Sequence, residues 1–297
     1  MRIRVPATSA NLGPAFDSAG LALALHDDVV ARVADGGLLI DVAGEGADRV
    51  PRNERHLVVK AMRAAFRLMG GQPRGLELVC ANRIPHGRGL GSSAAAIVAG
   101  IAAARALVVG GDERLDDAAV LDLAHRMEGH PDNVAAAICG GLTLAWSDSP
   151  DSAHAVRHEP GDWLRPVAFV PTTQLKTAKA RALLPATVPL ADAARAAGRA
   201  ALLSTALTTA PERLLAATSD TLHQEYRRSA YPRSMALVDV LRAEGIAAVV
   251  SGAGPTVLVL ARDDDEVEAA SARAPKWFSA YRLDVDREGV EVVPLSG

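Results

Sequence analysis

Lysine is scarce in this chain, with four residues (Lys60, Lys176, Lys179 and Lys276) against 28 arginines. None lies in the glycine-rich stretch Pro85 to Ala96, and a Walker A loop requires Gly-Lys-Ser/Thr, so that route to phosphate binding is excluded. Cysteine is limited to Cys80 and Cys139, far apart and in no Cys-x-x-Cys pair, which reads as two reduced core thiols. No long apolar run is present. The longest, Ala94 to Ala104, is mostly alanine and stops at Arg105, short of the roughly 18 residues of a membrane span. The N-terminus turns polar after Arg2 and Arg4 and lacks the apolar core of a signal peptide. A formal net charge of −3 leaves no broad basic surface for nucleic acid or anionic membrane. These absences favour a soluble, cytoplasmic protein with small-molecule partners. With 297 residues and 49% hydrophobic content, the chain suffices for one large domain or two ordinary ones.

What is present centres on Pro85-His86-Gly87-Arg88-Gly89-Leu90-Gly91-Ser92-Ser93-Ala94. Three glycines two residues apart, paired serines and an alanine-rich run predict a strand, a glycine loop and a helix start. Serine is a preferred N-cap, and the unpaired N–H groups behind it sit at the positive end of the helix dipole. The combination predicts an anion cradle for the phosphates of a nucleotide. The dinucleotide fingerprint is missed, because the third glycine falls one residue early.

Along the chain, Ile3 and Val5 predict a strand ended by Pro6, followed by a polar loop from Ala7 to Ser18. Alternation through Leu25 and from Val29 to Val33, a turn at Asp35-Gly36-Gly37 and the run Leu39 to Val42 predict an antiparallel ribbon. Helical periodicity marks Leu57 to Leu68, Ala94 to Leu107 and Leu115 to Met127, with a strand at Leu76 to Cys80. The densest polar cluster is Glu128-Gly129-His130-Pro131-Asp132-Asn133. A polar stretch from Ser147 to Gly161 predicts a boundary near residue 155, separating domains 1–155 and 156–297. Beyond it come a strand at Val167 to Phe169 and helices at Leu190–Thr209 and Ser234–Glu244. Strands at Ile246–Val250 and Val257–Leu260 flank a Ser251 to Thr256 turn. A helix at Asp264–Ala274 and strands near Leu283–Val285 and Val290–Val293 finish the chain. The class read from this pattern is α+β, in two layers packed edge to edge.

The glycine loop, the N-terminal polar loop and the Ser251 to Thr256 turn resemble, in order and spacing, the three motifs of the GHMP small-molecule kinases over nearly the whole chain. Ser9-Ala10-Asn11-Leu12-Gly13-Pro14-Ala15-Phe16-Asp17 and Glu128 to Ala135, with Arg181 and Arg227, resemble the homoserine kinase branch most. The resemblance implies an α+β, two-domain GHMP kinase fold, with an N-terminal domain like the second domain of ribosomal protein S5 and a ferredoxin-like C-terminal domain. It implies transfer of the γ-phosphoryl of ATP to the side-chain hydroxyl of L-homoserine, with Mg²⁺ and a homodimeric assembly.

Under that resemblance ATP lies along Pro85 to Ala94 with Gly252 and Gly254, and Ser93 and Glu128 hold Mg²⁺ as hard oxygen ligands, Asp122 being the alternative acid. Asn133 stands where other members carry an aspartate base. An amide cannot accept a proton at neutral pH, so direct attack by a positioned hydroxyl is implied, with Asp132 as the lesser possibility for a base. Asp17, with Asn11, is expected on the substrate's ammonium and Arg181 and Arg227 on its carboxylate, with His130 adding a hydrogen bond. Composition alone reads both arginines as surface charges and His130 as structural. A kinase for mevalonate or a sugar, or a nucleotide-binding module without catalysis, stays open at this point.

Overall fold

The computed structural model describes residues 1–294. In chain order the elements are β1 (Arg2–Ala10), β2 (Ala19–Ala34), β3 (Gly37–Gly44), α1 (Leu57–Leu68), β4 (Gly75–Asn82), α2 (Ser92–Leu107), α3 (Gly111–Arg114), α4 (Asp117–Glu128), α5 (Asp132–Cys139), β5 (Leu142–Ser149) and β6 (Ser152–His158). The second half adds β7 (Arg165–Pro171), α6 (Thr177–Arg181), α7 (Leu190–Thr208), α8 (Leu214–Ala217), α9 (Pro232–Ala243), β8 (Ala248–Val250), β9 (Val257–Ala261), α10 (Asp264–Arg273), β10 (Phe278–Arg282) and β11 (Glu291–Val293).

Two sheets result. The first runs β11-β1-β2-β4-β3, with β5 paired to β2 and β6 to β5; the second is antiparallel, in the order β10-β7-β9-β8. The antiparallel ribbon expected across Asp35 to Gly37 does not form. Strand β4 inserts between β2 and β3, and β3 runs parallel to β4, with Leu38 opposite Leu76 and Ile40 opposite Leu78. A three-residue turn reads locally as a hairpin, but β2 pairs instead with β4, whose Leu76, Leu78 and Cys80 enter the core, and β3 is left as the largely exposed edge. The first strand does not stop at Pro6. The ladder to β2 shifts register between Pro6 and Ala7 and continues to Ala10, so the polar loop starts at Asn11. Proline lacks the N–H a regular ladder needs, and the irregularity accommodates it. At the end of the chain the strands fall at β10 and β11, whereas Leu283 to Val285 contributes only a bridge from Val285 to Leu23. Residue 155 lies inside β6, which belongs to the first sheet, and β11 returns to pair with β1.

Helix α2 is apolar on all sides and buried, as such a helix must be. At Gly100 a Cβ would run into Val58 O and Ala61, so the missing side chain lets α1 pack closely on α2. In the second sheet, alternation sends Ala168, Val170, Val249, Leu258 and Leu260 into the main core, shared with the first layer. Val167, Phe169, Val250, Val257 and Val259 face a second core under α9 and α10. Both faces are covered, which is why these strands read as continuous β-branched runs. No described helix is long and apolar enough to cross a membrane.

Candidate active site

The three motif loops meet where the layers join. The Asn11 amide donates to Gly252 O at 3.0 Å, and Gly252 N donates to Ala10 O at 3.1 Å. Ser251 Oγ reaches both Ser9 Oγ (2.8 Å) and Gly89 O (2.5 Å), and Thr256 N donates to Arg88 O at 3.2 Å. Gly89 has φ +81°, and a Cβ there would strike Ser251 O. Gly91, at φ +71°, is itself the N-cap of α2, and a Cβ on it would collide with Thr8 Oγ1. The expected serine cap is therefore absent. Ser92 and Ser93 are the first helical residues, their hydroxyls make no cap bond, and the first-turn amides stay open toward the site.

Beside this junction lies a cavity of about 290 Å³. Its wall includes Asn11, Asp17, Gly87, Gly89, Gly91, Ser92, Ser93, Glu128, His130, Asp132, Asn133, Arg181, Arg227, Gly252 and Gly254, all singled out from sequence. Five positions of the expected nucleotide stretch do not reach it. Pro85, Leu90 and Ala94 are buried in the fold, Arg88 pairs with Glu45 at 3.3 Å, and His86 lines a neighbouring cavity of about 300 Å³. Ser92 and Ser93 border both cavities. Asp122, the alternative acid, accepts a hydrogen bond from Ala153 N at 2.9 Å and is not on the wall.

At the N-terminus of α5, Asp132 Oδ1 accepts from Asn133 N (2.7 Å) and from Asn133 Nδ2 (3.2 Å) and lies 2.8 Å from His130 Nδ1. Thr8 Oγ1 donates to Asn133 Oδ1 at 2.8 Å. Burial disfavours the imidazolium of His130, but its bond to Asp132 and the charges of Asp132, Glu128 and Asp17 outweigh that and hold its pKa above the ordinary value. Ser93 Oγ donates to Glu128 Oε2 at 2.7 Å. Burial raises the pKa of Glu128, opposed by the Ser93 bond, and no arginine or lysine pairs with it among the described residues. A carboxylate and a hydroxyl in contact, without a side-chain cation, are a donor pair suited to a hard divalent ion.

The two arginines behave differently. Arg181, on α6, grips Asp17 in bidentate fashion, Nη1 to Oδ2 at 2.9 Å and Nη2 to Oδ1 at 2.6 Å. That bond raises its pKa. Arg227 is 1% exposed, so the composition-based reading of a surface charge fails for it. It has no carboxylate at salt-bridge distance among the described residues, and burial works against its charge. Both guanidiniums lie over the Phe16 ring, at 5.4 and 5.3 Å. Both ends of the Asn11 amide are engaged: it donates to Gly252 O and accepts from Asp17 N at 2.9 Å. These bonds support the left-handed backbone of Asn11 (φ +68°) and Asp17 (φ +55°).

Phe16, Thr8 and the segment Leu175 to Thr177 were not expected at the site. Thr8 reads as part of the polar loop until the ladder is seen to run past Pro6 and place it in β1, and Phe16 carries no polar group to draw attention. His223 also escaped notice, although its spacing of four before Arg227 puts the two on one side of a helical turn.

The comparisons agree with this geometry. The GHMP kinases N terminal domain model matches residues 56–141, and the GHMP kinases C terminal model matches residues 203–280. A homoserine kinase of Streptomyces coelicolor is 62% identical over 100% of this chain and 95% of its own length. One of Mycobacterium tuberculosis is 45% identical over 95% of this chain and 90% of its own. The crystal structure of homoserine kinase from Cytophaga hutchinsonii superposes with a TM-score of 0.86 at 25% identity, covering 99% of this chain and 97% of that one. With motifs, fold and full-length similarity in accord, the chain belongs to the GHMP kinase family, in its homoserine kinase branch.

Proposed function

We propose that this site transfers the γ-phosphoryl group of ATP to the side-chain hydroxyl of L-homoserine, an intermediate step of threonine synthesis. The observation that carries the reading is the pairing, on one cavity wall, of an open helix N-terminus behind Gly91 with a carboxylate and two guanidiniums suited to an amino acid. The amides of the glycine loop and of the first turn of α2 bind phosphate oxygens, where the helix dipole favours negative charge. The neighbouring cavity, reached past Ser92 and Ser93, takes the purine against Val29, Val50, Pro51 and Leu57, and His56, whose Nδ1 has no partner among the described residues, is one of the polar groups on its wall.

Ser93 and Glu128 fit Mg²⁺ as two of its oxygen ligands. When bound, the ion neutralises charge on the phosphates. The residues of this chain supply alignment. Asp17 takes the ammonium of the substrate, with His130 beside it, while Arg181 and Arg227 take the carboxylate. Asp17 and Arg181 already satisfy each other, and a zwitterion brings the same two charges, so each exchanges one partner for its complement. Asn133, held by Thr8 and Asp132, orients the hydroxyl without removing its proton. The hydroxyl oxygen bonds to phosphorus as the bridging P–O bond to ADP breaks, and the hydroxyl proton is released. Proximity supplies most of the rate. Asp132 serves to hold the loop, its Oδ1 binding His130 and both nitrogens of Asn133.

The test is ADP release with Mg-ATP and a panel of L-homoserine, L-serine, L-threonine, mevalonate and galactose. Preference for L-homoserine is expected; turnover with mevalonate or a sugar instead overturns the substrate assignment, and no turnover overturns the kinase reading. A homodimer is inferred from the family resemblance, and sedimentation equilibrium of the pure protein reads it directly.

A further inference from the structure

Arg227 is the largest fully buried side chain of the molecule, and a buried cation must have its direction fixed from outside the substrate. Its Nε donates to Ala180 O at 3.2 Å, and its Nη1 lies 3.2 Å from Nδ1 of His223. His223 is itself buried, and its Nε2 lies 2.8 Å from Gly13 O, in the substrate loop of the other layer. A carbonyl can only accept, so Nε2 carries the proton. Nδ1 is then left with its lone pair, which is what a guanidinium N–H requires. The imidazole also packs on Phe16, ring centres 5.3 Å apart, and Phe16 lies under both arginines. Asp220 holds this turn by accepting from the backbone N–H groups of Leu222, His223 and Gln224.

We infer that His223 is the positioning residue for the carboxylate-binding guanidinium: as the Nε2–H tautomer it ties the Asn11–Ser18 loop to Arg227 and sets the direction in which Arg227 meets the amino-acid carboxylate. Burial keeps the ring neutral, in agreement with the donor and acceptor pattern. A protonated ring would turn a donor toward the guanidinium and break the arrangement. The inference rests on the assignment of Arg227 to the substrate carboxylate under the proposed function.

Two isosteres separate the two bonds. His223→Gln retains a donor near the Nε2 position and loses the acceptor for Arg227, whereas His223→Asn retains an acceptor near Nδ1 and loses the tie to Gly13. The expected result for His223→Gln is a rise of roughly tenfold in KM for L-homoserine, with KM for ATP and kcat nearly unchanged, the scale of one hydrogen bond to a charged group. His223→Asn should show a smaller rise. In an Arg227→Ala background, His223→Gln should add nothing further. Equal rises in both KM values, or full additivity with Arg227→Ala, would show a merely structural histidine and overturn the inference. If Arg227→Ala itself leaves KM for L-homoserine unchanged, the carboxylate assignment fails and this inference with it. If Arg227→Ala raises that KM and His223→Gln does not, only this inference fails. Nitrogen NMR of the unsubstituted protein gives an answer that does not depend on the variants folding: an Nε2–H neutral tautomer is expected at His223, and an Nδ1–H or doubly protonated ring overturns the proposal.

Discussion

A buried charge is tolerated only where something answers it, and the site residues differ in what answers them. Asp17 and Arg181 answer each other across the layer boundary. Among the described residues Glu128 is bonded by the hydroxyl of Ser93, with the charge of His130 nearby, and burial outweighs both and pushes its carboxyl above the usual range. That contrast makes Ser93→Ala informative. The substitution should raise KM for Mg-ATP and lower kcat, together by about 10- to 100-fold in kcat/KM, the worth of a hydrogen bond or ligand contact to a charged group. Steady-state kinetics over a range of Mg²⁺ concentrations checks it, and unchanged constants would remove Ser93 from any role at the phosphates or the ion.

At the scale of elements, the junction between the glycine loop and α2 leaves no room for side chains. Gly91→Ala forces a left-handed residue and drives its Cβ into Thr8 Oγ1, breaking the bond that holds Asn133. A destabilisation of about 1–3 kcal/mol is expected from the backbone alone. A lowered Tm and a raised KM for ATP should appear together; a variant with wild-type melting and kinetics contradicts the reading. Strand β2 carries a second test. Asp27 is buried and accepts hydrogen bonds from Arg83 N (2.6 Å) and Ile84 N (2.9 Å). Burial outweighs those bonds and pushes its pKa up to about 6. The folded chain thus holds the proton where the unfolded chain, with an ordinary aspartate near 3.8, has lost it. Stability contributed by protonated Asp27 is therefore lost as pH rises from about 4 to about 6. The asparagine variant keeps an acceptor for the two amides without the charge. Its unfolding free energy relative to wild type should shift in its favour by up to about 3 kcal/mol between pH 4 and pH 7, by denaturant titration. A difference independent of pH would refute the assignment.

For the whole molecule, the proposed substrate site is the seam between two layers, each bringing charges of one sign: Asp17 from the first, Arg181 and Arg227 from the second. A ligand that carries one charge leaves the opposite residue without an exchange partner. 4-Hydroxybutyrate and 3-amino-1-propanol should each show kcat/KM at least about tenfold below L-homoserine, since a hydrogen bond to a charged group is worth roughly 1.5–3 kcal/mol and the pair is only part-buried. Efficient use of either would mean that the pair does not open on binding.

Much of this was legible along the chain, because it depends on local chemistry. The left-handed glycines, the helix Leu57 to Leu68 with its closing Gly70-Gly71, and the polar cluster from Glu128 to Asn133 are specified by residues within a few positions of one another. Pairing partners were not, since a strand's neighbour is chosen by apolar surface many residues away. β3 took β4 in parallel, and β11 crossed the whole chain to reach β1. The same holds within the site. The sequence by itself determined which side chains with phosphate- and amino-acid-binding chemistry the chain carries, and in which loops they stand. Only the tertiary structure decided that Asp17 and Arg181 face each other, that Arg227 is buried with no carboxylate at salt-bridge distance among the described residues, and that His223 joins it to Gly13. Each of those facts depends on distant contacts, two across the layers over 164 and 210 residues and one within the second layer over 47. No local pattern encodes such a separation, because it is settled by which surfaces bury each other.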